Sequence, residues 1–325
     1  MAVGDYTNFE IYDDEFYGAM NETLVQNTEV FNAASQNALV LEPDPTIGNF
    51  RREAFYESIG SGLISRRDKG ATTSKTPDSL SSDDMTSPEL ARGYFVSNTL
   101  DSLRTIGAEP GEFSLAVGEQ VAKGMQVDYL NTMILSLVTA MNAYGDPVND
   151  QGGSATISTK LLANTLRKFG DASNQIVAWV MHSEAFFDLM TEQIDNKIID
   201  RVAGATIYEG TVGTLGLPAI VTDSDALINA TPTPNQYRTL GLTPNAAAAL
   251  QDGQPTESDG INRGNENLEF EIQGEHDFTL ALKGYDWTSS TVNPDDAALS
   301  TGGNWASVMD SVKDTSGVML INDAK

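Results

Sequence analysis

The side chains that most often carry catalysis or bind metals are sparse in this chain. Its 325 residues include two histidines, His182 and His276, and no cysteine. The histidines lie far apart in sequence, each beside a predicted turn, and neither belongs to a paired His or Cys spacing. A lone histidine in a turn is more often structural than a metal ligand. The sequence therefore predicts no zinc site.

Other chemical motifs are incomplete. Three glycines within residues 210–216 are spaced like part of a nucleotide loop, but they lack G-x-G-x-x-G spacing and run into Pro218 rather than a helix. Asp223 and Asp225 lack the further oxygen ligands of a calcium loop. A Gly-x-Ser-x-Gly hydrolase motif is absent. We therefore predict no catalytic residue, no cofactor and no metal ligand.

The composition is that of an acidic globular protein. The net charge is −27 and the mean hydropathy is −0.25. Such a charge repels nucleic acid and anionic lipid, so sequence-specific DNA binding is not expected. Neither an apolar N-terminal signal nor an apolar run of about 18 residues occurs, so we predict no membrane contact. The lack of cysteine fits folding in a reducing cytoplasm.

Basic residues are concentrated in one segment. Residues 1–50 contain nine acids and no Lys or Arg, whereas residues 51–75 contain six bases and three acids. Two interpretations remain open: a solvated loop, or a basic arm that docks on an acidic neighbouring subunit. The second makes all six bases candidates for inter-subunit contacts: Arg51, Arg52, Arg66, Arg67, Lys69 and Lys75.

The sequence predicts both helices and strands. Residues 176–181 form a short apolar run typical of a buried strand, and Ser183 is the predicted N-cap of the helix that follows. Residues 206–212 and 217–221 favour two strands joined at a Gly-Leu-Pro turn. Apolar residues recur at helical spacing over 13–34 and 158–169. The loop predicted at 146–156 and the turns at 253–267 separate these elements. The fold class is α+β.

The longest helical pattern covers residues 111–144, which at about 1.5 Å per residue gives a rod of about 50 Å. We expect it to pack on residues 268–287 through Val117, Val121, Leu130 and Leu137. Residues 268–287 alternate apolar and polar, and Gly274-Glu275 predicts a hairpin turn between two arms. Residues 49–98 predict two strands flanking a polar tip, and a closing strand is expected near the C-terminus.

Two segments carry a resemblance to a known family. VAWVMHSEAFFDLM (177–190) and LGLPAIVTDSD (215–225) resemble the axial-domain core of tailed-bacteriophage major capsid proteins, which have the HK97-like fold. The KGY at 283–285 and the order of elements are also similar to that family. The resemblance implies an N-terminal arm (1–48), an extended E-loop (49–98), a peripheral domain with a long spine helix (99–145 and 262–325) and an axial domain (146–261).

The resemblance also implies a function. A structural protein is expected, a major capsid subunit that self-assembles through hexamers and pentamers into an icosahedral head around double-stranded DNA. Portal, scaffold or decoration proteins would be further partners, and the host cytoplasm the place of synthesis. Some relatives cross-link an E-loop lysine to an asparagine, but no motif here singles out such a pair. The alternatives are an encapsulin-like shell and an acidic soluble enzyme or binding protein.

Overall fold

The structure is a computed structural model. It describes residues 13–44, 48–56, 69–70, 72, 74, 80–99, 110–195, 207–208, 214–262 and 266–325. The α-helices are α1 (Asp13–Ala34), α2 (Pro110–Tyr144), α3 (Thr159–Leu166), α4 (Ser183–Asp195) and α5 (Asp296–Leu299). Short 3₁₀ segments cover Arg167–Gln175, Asp225–Leu227, Gly302–Asn304 and Val312–Asp314. None of the described helices combines the length and hydropathy needed to cross a bilayer.

Fourteen strands are described. They are β1 (Leu39–Pro43), β2 (Phe50–Tyr56), β3 (Ser82–Thr99), β4 (Val148–Asp150), β5 (Ala178–Met181), β6 (Ile207–Tyr208), β7 (Ala219–Val221), β8 (Ile228–Asn229), β9 (Gln236–Leu242), β10 (Ala247–Asn262), β11 (Glu269–Leu282), β12 (Tyr285–Trp287), β13 (Trp305–Ser307) and β14 (Gly317–Asp323). With the helices they confirm the predicted α+β class.

Two larger sheets organise the chain. The first has the order β1-β10-β11-β3-β2, with β1 parallel to β10 and the other neighbours antiparallel. The second has the order β4-β14-β9-β5-β7-β6, and β8 also pairs with β9. β12 and β13 form a separate pair. The predicted closing strand is therefore present as β14, and it joins the second sheet.

The predicted long helix is confirmed as α2, which has 35 residues. Its middle is buried on several sides, because it contacts α1, strands of the first sheet, α5, the Gly302–Asn304 segment and β13. Val117 and Leu137 belong to the main apolar cluster, and Val121 and Leu130 pack against that cluster. The same cluster contains Phe278 of β11, so the expected contact between the helix and the 268–287 segment is present.

The predicted hairpin at Gly274-Glu275 is wrong, because β11 runs through both residues as one strand. Gly274 lies opposite Glu257 of β10 and Tyr94 of β3, so neighbours on both sides continue past it. A Cβ at Gly274 would overlap the Tyr94 ring. The glycine is therefore required by a close side-chain approach rather than by a turn.

Further corrections concern segments read as turns. Residues 253–262, predicted to be turn-rich, belong to β10, which has an irregular register between Asp252 and Thr256. β4 lies inside the loop predicted at 146–156. Ser158 caps α3 by accepting a hydrogen bond from the Leu161 amide, but α3 ends at Leu166 and continues as a 3₁₀ segment. For β10 and β4, strand partners distant in sequence decide the conformation.

Candidate functional site

The two-stranded extension, defined as β2 and residues 82–88 of β3, lies at one edge of the first sheet. Its antiparallel register runs from Phe50 opposite Pro88 to Tyr56 opposite Ser82. β2 is the last strand in the sheet order, so its outer edge has no strand partner among the described residues. Tyr56 remains 75% exposed. The predicted two-stranded excursion is therefore present, and one edge is free to accept contacts.

Two of the six candidate contact bases lie on this extension. Arg51 contacts the Asp44 carboxylate, and its Nη2 lies 2.9 Å from Glu53 Oε1. Arg52 Nη1 lies 3.6 Å from Asp84 Oδ2 on the paired strand. The Arg51 side chain is 28% exposed and that of Arg52 is 72% exposed. Both guanidinium groups therefore have acidic partners within their own chain.

Of the other four bases, the structure describes one. Lys69 is described and exposed. Arg66, Arg67 and Lys75 lie outside the described residues. The predicted inter-subunit role of the six bases therefore stays a prediction.

Arg92 joins three elements where the extension meets the sheet, and the sequence analysis missed it. Its Nε lies 3.1 Å from Asp128 Oδ2 on α2, and its Nη2 lies 3.3 Å from Asp296 Oδ1 on α5. The guanidinium also lies 5.9 Å from the Phe278 ring centre on β11. A single arginine within an exposed-looking strand gives no signal of this role in the sequence.

His276 lies directly opposite Arg92 in the pairing of β11 with β3. Its ring is buried, and neither ring nitrogen has a hydrogen-bond partner among the described groups. The Tyr129 ring meets it edge-on, with centres 5.8 Å apart. Burial lowers the pKa of His276, Asp128 opposes that change, and Arg92 lowers the pKa further. The predicted turn histidine is therefore a core residue that faces α2.

The opposite face of β11 is acidic. Even-numbered residues of this strand are buried towards α2, so Glu275 and Asp277 face the other way. Asp277 lies opposite Asp252 of β10. Burial raises the pKa of Asp277, and Asp252 and Glu275 raise it further. The pKa of Glu89 on β3 is raised by burial and then by Asp277 and Asp252. Negative charge is therefore crowded on this side of the sheet.

His182 caps the N-terminus of α4. Its carbonyl accepts the Phe186 amide at 3.0 Å, and its Nδ1 accepts the Glu184 amide at 3.2 Å. His182, rather than the predicted Ser183, is therefore the N-cap. The imidazole stacks on Tyr237 with ring centres 5.2 Å apart, and its Nε2 lies 3.6 Å from Asp223 Oδ1.

Groups of three or more His, Asp or Glu side chains suited to a metal ion are absent from the part of the chain that the structure describes. The two predicted acids Asp223 and Asp225 lie after β7 and at the start of a 3₁₀ segment. The arrangement of side chains supports packing and ion pairing between elements.

Solved phage capsids share this architecture. The structural alignment with the Ralstonia phage GP4 capsid covers 89% of this chain and 87% of that chain, with a TM-score of 0.52 and 10% sequence identity. For the Microbacterium phage Oxtober96 structure, both coverages are 90%, the TM-score is 0.52 and the identity is 9%. For the cyanophage Pam1 capsid, both coverages are 88%, the TM-score is 0.50 and the identity is 14%. Curated protein sequences gave no match.

At such low sequence identities the structural similarity shows a shared fold, which is the HK97-like fold of phage capsid proteins. The sequence also matches a family model, described as Major capsid protein 13-like, over residues 8–319. The chain belongs to this Gp13-like family of major capsid proteins. It is therefore a subunit of a self-assembling capsid shell and a structural part of a virion. The resemblance found in the sequence is confirmed.

Proposed function

We propose that copies of this chain form the icosahedral head of a tailed bacteriophage, arranged in hexamers and pentamers around double-stranded DNA. The observation that carries the proposal is the family match, which extends over residues 8–319 and so over nearly the whole chain. The HK97-like fold supports it. A subunit with a helix–sheet core and a two-stranded extension at the edge of a sheet suits a shell whose contacts repeat around each copy.

The division into an N-terminal arm (1–48), E-loop (49–98), peripheral domain (99–145 and 262–325) and axial domain (146–261) is part of this proposal. Strand pairing favours two changes to it. β10 pairs with β1 and β11, so residues 247–261 go with the peripheral domain. β14 pairs with β4 and β9, so it goes with the axial domain.

Contacts between subunits would use the basic segment. Within residues 51–75, Arg66, Arg67 and Lys69 would lie near the tip of the excursion and are the best candidates, with Lys75 further along the chain. Arg51 and Arg52, each paired with an aspartate of the same chain, lie nearer its base. Outside residues 51–75 the chain has 43 acids and 13 bases, so the surface of a neighbouring copy is acidic. Opposite charges on the segment and its neighbour favour association in one register.

The remaining partners follow from charge and from the type of shell. A net charge of −27 would let packaged DNA lie against the shell without sequence-specific binding. Portal, scaffold and decoration proteins would complete the head. Synthesis would take place in the cytoplasm of the bacterial host, where a chain without cysteine has no redox constraint.

Electron microscopy of the protein purified from bacteria tests the proposal. We expect closed shells of uniform diameter with icosahedral symmetry, formed by this chain alone or together with a scaffold protein. Shells filled with a co-purifying enzyme would favour the encapsulin-like alternative. Small particles under all conditions of salt, pH and scaffold co-expression would contradict the proposal.

A further inference from the structure

The segment that follows β4 differs in charge from the rest of the chain. Residues 151–170 contain three bases and no acid, whereas the remaining residues contain 46 acids and 16 bases. The three bases are Lys160, Arg167 and Lys168, and all three are exposed. Exposed positions of α3 and of the 3₁₀ segment after it recur at threes and fours, so the bases lie along one side of this helical stretch. This side is called the basic helix face.

The opposite side of α3 packs on the second sheet. Leu162 and Trp179 of β5 belong to one buried apolar cluster, and Phe169 is fully buried. The Thr165 hydroxyl accepts a hydrogen bond from the Asn149 side-chain amide at 2.9 Å, which joins α3 to β4. The helix that carries the face is therefore packed in place, and little ordering of its backbone opposes a contact.

The bases of the face are not used in ion pairs. In the part of the chain that the structure describes, no ion pair involves any of the three. Asp171, just after the face, contacts Lys313 instead. At the start of α3, the Glu192 carboxylate accepts the Thr159 amide at 3.2 Å. Three positive charges are therefore left on one side of an acidic protein.

The helix dipole explains at most two of these charges. Arg167 and Lys168 follow the last residue of α3, where a cation is favourable. Lys160 is the second residue of α3, and a cation in the first turn is unfavourable because that end of the helix carries partial positive charge. Stabilisation of the helix therefore does not account for the full set, whereas a negatively charged partner does.

The composition of the face indicates the kind of partner. Protein interfaces centre on buried aromatic and other large apolar side chains. No large apolar side chain is exposed among the described residues from 145 to 186. The exposed and half-buried neighbours of the bases include Ala163 and Asn164. Contacts with DNA phosphates use Lys, Arg and Asn side chains and need no apolar centre. The face therefore suits phosphate groups better than it suits an acidic protein surface.

We propose that the basic helix face contacts the phosphates of the double-stranded DNA that the shell encloses. The inference rests on the proposed function, since it states which residues meet the DNA. From Lys160 to Arg167 the helix rises about 10 Å, a length over which one strand of a duplex carries about three phosphates. At physiological salt, charges more than about 8 Å away are largely screened, so the acidic remainder of the chain does not cancel the face. The contact carries no sequence information.

Fluorescence anisotropy with the unassembled subunit, used as the full chain, and a short labelled duplex of mixed sequence tests the contact. We expect binding that weakens between about 50 and 200 mM salt with a log–log slope of about −3, the value for about three phosphate contacts. Lys160→Gln, Arg167→Gln and Lys168→Gln together should raise the dissociation constant at least about tenfold at the lowest salt and bring the slope close to zero.

A matched control removes three exposed bases elsewhere, through Arg52→Gln, Lys69→Gln and Lys123→Gln. Both sets remove three positive charges, so a general effect of net charge would weaken binding by both alike. We expect the control set to change the dissociation constant by less than about twofold. Equal losses for the two sets, or no binding by the unmodified chain at the lowest salt, would overturn the proposal.

Amine labelling of the unmodified chain gives a measurement that does not depend on the folding of any variant. The subunit is labelled with and without the duplex, and the modified lysines are identified by mass spectrometry. We expect the duplex to reduce labelling of Lys160 and Lys168 and to leave Lys123 unchanged. Labelling of Lys160 and Lys168 that is the same with and without DNA would overturn the contact.

Shell yield separates the contact from the other possible partner and from the proposed function. The glutamine set on the face should form shells at the yield of the unmodified chain. A collapse of that yield with unchanged DNA binding would assign the face to an acidic surface of a neighbouring copy and overturn the proposal. Shells from a chain whose subunit does not bind the duplex would overturn the contact alone. DNA binding by the face without shells under any condition would support the contact and contradict the proposed function.

Discussion

The core around α2 and the two-stranded extension reach stability by different routes. In the core, Met133, Ile134 and Leu137 are fully buried against the first sheet and α1. In the extension, every side chain of β2 is exposed or half-buried, and its pairing with β3 is its only strand pairing in the described structure. A two-stranded ribbon is marginally stable by itself. The core is stabilised by apolar burial, whereas the extension relies on the pairing of β2 with β3 and on a hydrogen bond that the Thr86 amide donates to Asp286 Oδ1 at 2.6 Å.

The two regions also use arginine differently. Arg92, with a side chain 22% exposed, joins β3 to α2 and α5. Arg52, 72% exposed, has one acidic partner across the extension at 3.6 Å. Ion pairs between exposed groups contribute about 0–1 kcal/mol, and partial burial with several hydrogen bonds increases this value. Substitutions in the two regions should therefore differ in their effect on unfolding.

The largest effect is expected at Leu137. Leu137→Ala should lower the free energy of unfolding by about 2–5 kcal/mol, since it leaves a cavity in a fully buried site. Leu137→Asp should prevent folding, because it buries an unpaired charge. Urea unfolding followed by circular dichroism measures both. Val127→Ala on the same helix is the control: Val127 is 57% exposed, and a change within about 0.5 kcal/mol is expected.

A smaller effect is expected at Arg92. Arg92→Met keeps the apolar stem but removes the contacts with Asp128 and Asp296, and should lower the free energy of unfolding by about 1–2 kcal/mol. Arg52→Met in the extension should change it by less than about 0.5 kcal/mol. Equal losses for the two variants in chemical denaturation would remove the distinction between core and extension.

His276 predicts how the core responds to acid. Its pKa in the folded chain is lowered from 6.5 by burial, so the unfolded chain binds the proton more readily. Stability is then complete above about pH 6.5 and is lost as pH falls below it, by at most about 1.4 kcal/mol per pH unit. His276→Phe should reduce this loss between pH 7 and 5.5. Glu89 and Asp277, with raised pKa values, act oppositely and mainly at lower pH.

Unfolding experiments at closely spaced pH values measure this difference. Asp128, Arg92 and Tyr129 surround the imidazole, so the variant retains these three groups and changes only the titrating ring. An identical pH dependence for His276→Phe and the unmodified chain would show that His276 does not contribute to acid sensitivity.

Substitutions in the basic segment (residues 51–75) should have the smallest effect on unfolding. Their effect on shell assembly should be large. Arg66→Glu with Arg67→Glu should leave the melting temperature of the unassembled subunit unchanged within error. Shell yield should collapse, and should fall further at low salt, where repulsion is screened least. Normal yields, or a subunit that no longer folds, would show that these arginines do not serve assembly.

Local patterns in the sequence were sufficient for several elements. The apolar residues of α2 recur at helical spacing along its length, and the short apolar run before His182 became β5. The same holds for α1 and β14. These elements were predictable because their own residues supply the burial pattern. Together with the residues at 177–190 and 215–225, they were also sufficient for the resemblance to capsid proteins.

Tertiary structure decided the rest. β11 passes through Gly274 because β10 and β3 hold it on both sides and the Tyr94 ring occupies the space of a Cβ, none of which the local sequence encodes. Arg92 and His276 became neighbours through strand register, and His182 became a helix cap through the position of α4. Periodicity fixes which face of an element is apolar, but the partner of that face depends on the whole fold.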